Sequence, residues 1–445
     1  MTGWKPIPLR RRIRGLTPPG SPKVPDGVPV EKIVQKSLDV KLAEIHADPG
    51  GSKAFIIADA KDADMAFGMG SAGVSPERHD GEVRFKTLAD YRQQMREIVQ
   101  QGVVDIMLMS THTNDLLTIQ ERIFDKSHVT PAARANDTTD VHIARGGRHY
   151  QSPAMPFRSA ALDHIQCGHL DCDTNERQLG ANLGLYSVTF NNDPERDLET
   201  LRQFKVFREE AERKKFRYFL EVFDPNIANV VDPELLGAFI NDLVARSLAG
   251  VARPGRPAFL KIVYHGPQAM EELVRYDPHL VVGILGGSAG TTLDAFQLIQ
   301  QAQKYGARVA LFGRKINQAE NQLAFIEFLR LITDGVIAPE EAVRAYHSVL
   351  EKLGIRPHRP LEEDLQLKTG VMSYGGSGKT ISAPPPQSKP VTEPKPPVSV
   401  ATPVAKEATA PAAASSPVGA PNFAKMSSAE KLAYHRERLK RMFGG

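Results

Sequence analysis

The chain has 445 residues, more than a single hydrophobic core normally needs, so its length predicts one catalytic-size domain with appended segments. Its 56 Lys and Arg residues nearly balance its 52 Asp and Glu residues, which argues against a basic nucleic-acid-binding face. No apolar run is long enough to cross a membrane, and residues 1–26 lack the apolar segment of a signal peptide. We therefore expect a cytoplasmic protein without nucleic-acid or membrane partners.

The ends of the chain differ in composition from its middle. Residues 1–29 are rich in Pro and Arg and lack periodicity, which predicts an arm that docks on the main domain or on a neighbouring subunit. Residues 357–421 are dominated by Pro, Ala, Ser, Thr and Lys, which predicts a disordered linker. Residues 422–445 read as a short basic amphipathic helix, either docking to a protein partner or forming a solvated tail.

Residues 30–356 alternate short apolar runs with helical patterns, as in a (β/α)8 TIM barrel of the α/β class. Periodicity predicts a helix at 30–48 beneath the barrel. The first five predicted strands are 54–58, 103–109, 140–144, 185–190 and 216–222. The last three lie in the segments AFLKIVYHG, LVVGILGGSAGTTLDAF and ARVALFGRKIN. Residues 145–184 are poorly patterned and predict an elaborated loop with a helix near 159–166.

Predicted helices separate these strands or follow the last of them, at residues 87–101, 114–124, 195–215, 233–249, 318–333 and 339–353.

Lys261 is the candidate nucleophile. Its neighbours Phe259, Leu260 and Ile262 are apolar, and a lysine that points into a dry barrel would have a lowered pKa and a neutral, nucleophilic amine. In an all-apolar run the facing of a strand is not determined, so Lys261 could equally turn outward and pack its stem against a helix.

Two carboxylates follow predicted strands and are candidates for proton transfer. Glu221 ends the fifth strand, where a carboxylate in the barrel mouth can move protons during imine formation and carbon–carbon cleavage. Asp59 ends the first strand. Either could instead be a structural carboxylate that pairs with Lys261 or Arg314.

The loops after the seventh and eighth strands predict a phosphate site, because barrels often bind phosphate there through backbone N–H groups and a helix N-terminus. The residues assigned to it are Gly286, Gly287, Ser288, Gly313 and Arg314. Thr291 and Thr292, which open the next helix, would add N–H groups. Glycine turns and a surface arginine that serve packing alone are the alternative. The P-loop-like GGSGKT at 375–380 lacks its first glycine and its helix, so we interpret it as linker.

Cys167 and Cys172 are the two cysteines of the chain, and so few predict free thiols in a reducing compartment. With His169 they could hold a metal, yet a second cysteine pair is missing and the spacing is not that of a standard zinc knuckle. We therefore expect neither a metal nor another cofactor.

AFLKIVYHG, VVGILGGSAGTTLDAF and VALFGRKINQAE are similar to strands six to eight of the class I aldolases of the archaeal fructose-bisphosphate and tagatose-bisphosphate type, a resemblance that covers roughly residues 55–330. It implies an imine between Lys261 and a ketose phosphate, with the phosphate held by the Gly and Gly-Arg loops. Glu221 and Asp59 resemble acidic residues of that family. Ser187 departs from it, standing where the tagatose-bisphosphate branch carries a lysine.

Together these features predict a metal-independent class I aldolase that cleaves a phosphorylated ketose reversibly through a lysine Schiff base. The alternative is a non-catalytic sugar-phosphate-binding barrel that acts as a scaffold or sensor through its C-terminal helix. We also expect a homo-oligomer.

Overall fold

The structure is a computed structural model that describes residues 34–73, 85–142, 144, 146–287 and 290–369. The arm predicted at 1–29, the helix predicted at 422–445 and the assigned residue Ser288 lie outside the described residues. The same holds for residues 370–421 of the predicted linker.

Ten strands are present in the described ranges: β1 (Ile56–Lys61), β2 (Ile106–Met109), β3 (Thr130–Arg134), β4 (Asp137–Thr138), β5 (Pro156–Phe157), β6 (Leu183–Thr189), β7 (Arg217–Phe223), β8 (Leu260–Ile262), β9 (Gly283–Leu285) and β10 (Val309–Phe312). Eight of them form a closed barrel in the order β1-β10-β9-β8-β7-β6-β3-β2, and every neighbouring pair is parallel. β4 and β5 pair antiparallel as a separate ribbon. The predicted (β/α)8 TIM barrel is confirmed.

The helices are α1 (Ser37–Ala47), α2 (Ala63–Phe67), α3 (Leu88–Gln101), α4 (Thr111–Asn114), α5 (Leu162–Cys167), α6 (Pro194–Arg213), α7 (Leu236–Ala249), α8 (Pro267–Tyr276), α9 (Thr292–Lys304), α10 (Arg314–Gln318), α11 (Gln322–Thr333), α12 (Pro339–Lys352) and α13 (Leu361–Asp364). A π-helix at Asp115–Gln120 continues α4 and takes up most of the helix predicted at 114–124. Across the described ranges, every helix is too short or too polar to cross a lipid bilayer.

The third predicted strand was wrong. The described part of residues 140–144 forms a turn, in which Val141 N donates to Thr138 O at 3.2 Å, and Thr130–Arg134 is the third barrel strand instead. Its sequence TPAAR has a proline, two alanines and an arginine, so it lacks the β-branched, apolar signature of a strand. It is extended because β2 and β6 pair with it on both sides.

Two apolar layers show which way each strand residue faces. One cluster joins alternate strand positions such as Ile56 and Phe259 to Leu38 and Ile45 of α1, which therefore closes the N-terminal end of the barrel. The other cluster joins the intervening strand positions to surrounding helices. Because side chains alternate along a strand, the first cluster marks the inner face and the second the outer face.

Two further expectations need correction. Cys167 and Cys172 are joined in a disulfide rather than free. They are only five residues apart in sequence, and α5 followed by a tight turn brings them together. The predicted linker cannot begin at residue 357, because α13 follows and Asp364 is buried against α9.

Candidate active site

Lys261 lies on the inner face of the barrel. Phe259, directly before β8, belongs to the inner cluster, while Leu260 and Ile262 belong to the outer one, so alternation directs Lys261 inward. The residue is 8 % exposed. The alternative in which Lys261 turns outward toward a helix is therefore wrong.

Ser187, Glu221 and Lys261 form one row across three neighbouring strands. Ser187 pairs in register with Glu221, and Glu221 with Lys261. Lys261 Nζ forms an ion pair with Glu221 Oε1, and Ser187 Oγ donates to Glu221 Oε2 at 2.7 Å. All three are buried. Both carboxylate oxygens of Glu221 therefore have a partner, which offsets part of the cost of burying the charge.

Arg134, at the end of β3, extends the row. Its Nη2 donates to Ser187 Oγ at 3.4 Å and its Nη1 to Asp62 Oδ2 at 2.9 Å. Burial alone would lower the pKa of Arg134, but the negative charges of Asp62, Asp137 and Glu221 together raise it. The guanidinium is thus a permanent positive charge between Asp62 and the Ser187–Glu221–Lys261 row.

Asp59 does not join this site. Ile57, two residues before Asp59 on β1, is in the outer cluster. Alternation therefore places Asp59 and Lys61 on the outer face as well. Lys61 Nζ lies 3.4 Å from Asp59 Oδ2 and donates to Gln322 Oε1 of α11 at 2.8 Å. Burial raises the pKa of Asp59 to about 6, although the Lys61 charge lowers it. Asp62, just beyond the strand, is the acidic residue of this segment that reaches Arg134.

An apolar layer lies one step further toward the C-terminal mouth. Phe223 and Val263 follow Glu221 and Lys261 by two residues on the same inner face. They form a buried cluster with Leu285 of β9 and Val141 from the loop after β4. The ion pair therefore lies next to a buried apolar layer on its mouth side, where a lower local dielectric strengthens electrostatic interactions.

The structure gives the predicted phosphate-binding glycines clear packing roles. Gly286 N donates to Leu311 O at 2.9 Å, and a Cβ at Gly286 would lie 2.0 Å from Phe312 Cδ1. A Cβ at Gly313 would lie 2.6 Å from Ala60 O. Gly287 has a φ of +56°, which favours glycine. Arg314 is the first residue of α10.

The N-terminus of α9 is occupied by the chain itself. Thr291 N donates to Asp294 Oδ2 at 2.7 Å, and Thr292 N donates to Asp364 Oδ1 at 2.8 Å. Thr291 and Asp294 form a capping box, and residues 366–369 pack over it through hydrogen bonds to Thr291 and Asp294. These amides bind the protein's own carboxylates, so the expectation that Thr291 and Thr292 would offer them to a phosphate was wrong.

Arg134 was missed because the strand that carries it was not recognised. TPAA does not have the sequence pattern of a strand. Arg134 could therefore be identified as a strand-end residue only once the barrel register was known. Asp62 follows β1 directly, yet the sequence analysis assigned proton transfer to Asp59. The one available signal was parity: Asp62 lies an odd number of residues from Asp59, so both cannot share a face of an extended strand.

These features define a (β/α)8 barrel with a lysine–glutamate pair buried at its centre. No protein-family model matches the chain, and no curated protein sequence matches it.

Among solved structures, the chain is similar to a Schiff-base-forming fructose-1,6-bisphosphate aldolase, with 14 % identity and a TM-score of 0.46 over 67 % of this chain and 100 % of the other. It is also similar to an archaeal fructose-1,6-bisphosphate aldolase, with 14 % identity and a TM-score of 0.45 over 66 % and 99 % of the two chains. A protein from Corynebacterium glutamicum shows 13 % identity and a TM-score of 0.45 over 68 % and 99 %.

Proposed function

We propose that the protein is a class I aldolase-like lyase that cleaves a phosphorylated ketose reversibly through a Schiff base on Lys261. The observation that carries the proposal is the inward-facing Ser187–Glu221–Lys261 row at the centre of a closed barrel. A lysine whose partner carboxylate lies in direct contact can pass its proton across the pair, and the resulting neutral amine is the nucleophile that imine formation needs.

Glu221 supplies the proton transfers in this mechanism. Its Oε1 accepts a proton from the Lys261 ammonium, and the neutral amine attacks the substrate ketone to give a carbinolamine. Return of that proton from Glu221 to the carbinolamine oxygen releases water and leaves a protonated imine. The Glu221 carboxylate then takes the proton of the substrate hydroxyl next to the breaking carbon–carbon bond, and the protonated imine accepts the electron pair of that bond. Ser187 Oγ holds the other carboxylate oxygen at 2.7 Å and so fixes the orientation of Glu221.

Substrate recognition is assigned to two groups of residues. Arg134 and Asp62 present a guanidinium and a carboxylate beside the row, and these can bind hydroxyl groups of a sugar. The phosphate remains assigned to the loops after β9 and β10, with Gly287, Ser288, Gly313 and Arg314 as its contacts, whereas the Gly286 N–H is already bound to Leu311. In this proposal Asp62, rather than Asp59, is the acidic residue that the first strand contributes to the site.

A non-catalytic barrel is a second candidate, and two observations favour it. Both oxygens of Glu221 are bound, and an apolar layer covers the pair, as in an ion pair whose role is structural. In this case the barrel binds a sugar phosphate without turnover. The homo-oligomeric state, the cytoplasmic location and a protein partner for the C-terminal helix stay predictions in either case.

Borohydride trapping separates the two candidates. The full-length protein is incubated with dihydroxyacetone phosphate or fructose 1,6-bisphosphate, reduced with borohydride, and analysed by intact mass and peptide mapping. We expect a covalent adduct on the peptide that contains Lys261, its loss in Lys261→Met, and its retention in the exposed-lysine control Lys304→Met. An unchanged mass for the wild-type protein with both sugars, or an adduct on another lysine alone, contradicts the aldolase proposal.

A further inference from the structure

A loop on the barrel face opposite the mouth above Lys261 gathers four side chains of the types that bind zinc. The loop follows α5 and leads into the start of β6, so it lies at the N-terminal end of the barrel strands. Ligand atoms of Cys167, His169 and Glu176 all lie within 4.8 Å of one another. Cys172 adds its sulfur to the group, since it is bonded to Cys167 Sγ.

The backbone of the loop is fixed by tight packing, so the four side chains converge without help from an ion. Gly168 ends α5 with a φ of +87°, and a Cβ there would lie 3.1 Å from Asp115 Oδ1. Gly180 N donates to Gln166 O at 2.8 Å, and a Cβ at Gly180 would lie 2.1 Å from Ile165 O. Alanine at Gly180 would displace the loop, and alanine at Gly168 would be strained by the positive φ.

His169 has the hydrogen bond that orients a metal-binding imidazole. Its Nδ1 lies 2.8 Å from Leu170 O, and only a protonated Nδ1 can donate to that carbonyl. This tautomer leaves the Nε2 lone pair free, and Nε2 lies 3.4 Å from Glu176 Oε2. A backbone carbonyl that holds one imidazole nitrogen while the other faces the ion is the common arrangement around zinc ligands.

From this geometry we propose that the reduced protein binds one Zn²⁺ through Cys167, His169, Cys172 and Glu176. A phosphine breaks the Cys167–Cys172 bond by reduction. The phosphine gives up two electrons and becomes a phosphine oxide with the oxygen of one water molecule. The two protons of that water go to the two sulfurs, which become thiols. Zn²⁺ then replaces both thiol protons, which pass to solvent, and two thiolates, one imidazole and one carboxylate complete a tetrahedral set.

The site is structural. All four ligands come from the protein, so no position remains open for a substrate, and the loop lies on the opposite side of the barrel from the Lys261 mouth. In this proposal zinc ties residues 167–176 together in reducing conditions, and the disulfide ties Cys167 to Cys172 in oxidising conditions. The proposal is independent of the aldolase assignment.

The test uses the full-length protein, reduced with a water-soluble phosphine, stripped with a chelator and dialysed against Zn²⁺. Metal analysis should give one zinc per chain for the reduced wild type and none for the oxidised form. Replacing zinc by Co²⁺ should give a thiolate-to-metal absorption band in the near ultraviolet together with the visible bands of tetrahedral cobalt. Bound zinc should also raise the melting temperature of the reduced protein.

Matched variants assign the ligands. Cys167→Ser and Cys172→Ser should abolish stoichiometric zinc and the thiolate band, and His169→Ala and Glu176→Gln should weaken zinc binding by about tenfold or more. Asp171→Asn is the control, because Asp171 is exposed and asparagine tolerates its positive φ. This variant should bind zinc as the wild type does. His169 and Glu176 lie at the surface, so their variants test the site even if a cysteine variant folds poorly.

Two results would overturn the proposal. In the first, the reduced wild type takes up no more zinc than the oxidised form, and the cluster is a disulfide only. In the second, zinc binds equally well to His169→Ala, Glu176→Gln and the wild type, and the ion is held elsewhere.

Discussion

Glu221 and Lys261 occupy paired positions on β7 and β8, and their side chains form an ion pair on the inner face of the barrel. Both side chains are buried, with only 2 % of Glu221 and 10 % of Lys261 exposed. Each therefore depends on the other for compensation, whether the pair serves catalysis or structure.

Breaking this pair should destabilise the protein more than removing it entirely. We expect Lys261→Met or Glu221→Leu alone to lower the free energy of unfolding by about 3–5 kcal/mol, because each leaves a buried charge without its partner. The double variant should recover most of this loss. Denaturant unfolding of the four proteins measures the coupling. The exposed pair Arg213–Glu209 is the control, since Arg213→Ala should cost less than about 1 kcal/mol. Additive losses at Lys261 and Glu221 would contradict the prediction.

Asp59 should make stability depend on pH. Its folded pKa of about 6 lies above the unfolded value of 3.8, so between these values the folded state binds more protons than the unfolded state. The contribution of Asp59 is therefore greatest below pH 4 and is lost as pH rises through 6, with an upper bound of about 3 kcal/mol. Urea unfolding between pH 4 and 7 should show a fall for the wild type that is absent or smaller in Asp59→Asn. Parallel curves for the two proteins would refute the assignment.

Ser187 should matter through its hydroxyl group. Ser187→Ala leaves Glu221 Oε2 without its hydrogen bond, which should cost about 1.5–3 kcal/mol in stability. If Lys261 forms an imine, the same change should slow borohydride-trapped adduct formation, because Glu221 is no longer held in place. Ser187→Thr keeps the hydroxyl and should recover part of the rate. Equal trapping rates for Ser187→Ala and the wild type would show that the hydroxyl takes no part.

Gly286 should tolerate no side chain. A Cβ would lie 2.0 Å from Phe312 Cδ1, and Phe312 is fully buried, so Gly286→Ala should cost at least about 2 kcal/mol. Gly250→Ala is the control, because its Cβ would meet nothing within 4 Å and its φ of −91° suits alanine. The melting temperatures of the two variants should diverge, and a shift of similar size in both would contradict the packing argument.

Asp364 should stabilise α9 from outside the helix. It accepts a hydrogen bond from Thr292 N at 2.8 Å and lies 3.0 Å from His347 Nε2. Asp364→Ala should therefore lower the free energy of unfolding by about 1–2 kcal/mol, as the loss of a helix N-cap does. The exposed neighbour Glu362→Ala should have little effect. If both variants unfold at the same denaturant concentration as the wild type, the contact contributes nothing to stability.

Much of the fold could be read from the sequence, because strongly apolar strands and periodic helices report their own secondary structure. β7 and β10 are apolar runs bounded by turns, and α3 matches the helix predicted at 87–101, with Thr87 as its N-cap. β3 could not be found in this way. Its residues have little strand preference, and it is extended only because two neighbouring strands hold it.

The residue types of the candidate site followed from the sequence, while their facing required the tertiary structure. Lys261 and Glu221 stand out because charge is rare within apolar strands. Whether each points into the barrel depends on strand parity, which a continuous apolar run does not reveal. Strand parity places Asp59 on the outer face of β1, whereas Asp62, just beyond the strand, reaches Arg134.

Apart from β3 and its Arg134, the sequence by itself indicated the barrel strands and the chemical groups at their ends, because local preference and periodicity are properties of short segments. Only the tertiary structure decided which groups meet. The tertiary structure pairs Glu221 with Lys261 and brings Arg134 within hydrogen-bonding distance of Ser187. It also binds Asp364 to the first amide of α9 and joins Cys167 to Cys172 in a disulfide. Each of these contacts depends on strand register or on close packing between segments, and neither is encoded in a local pattern.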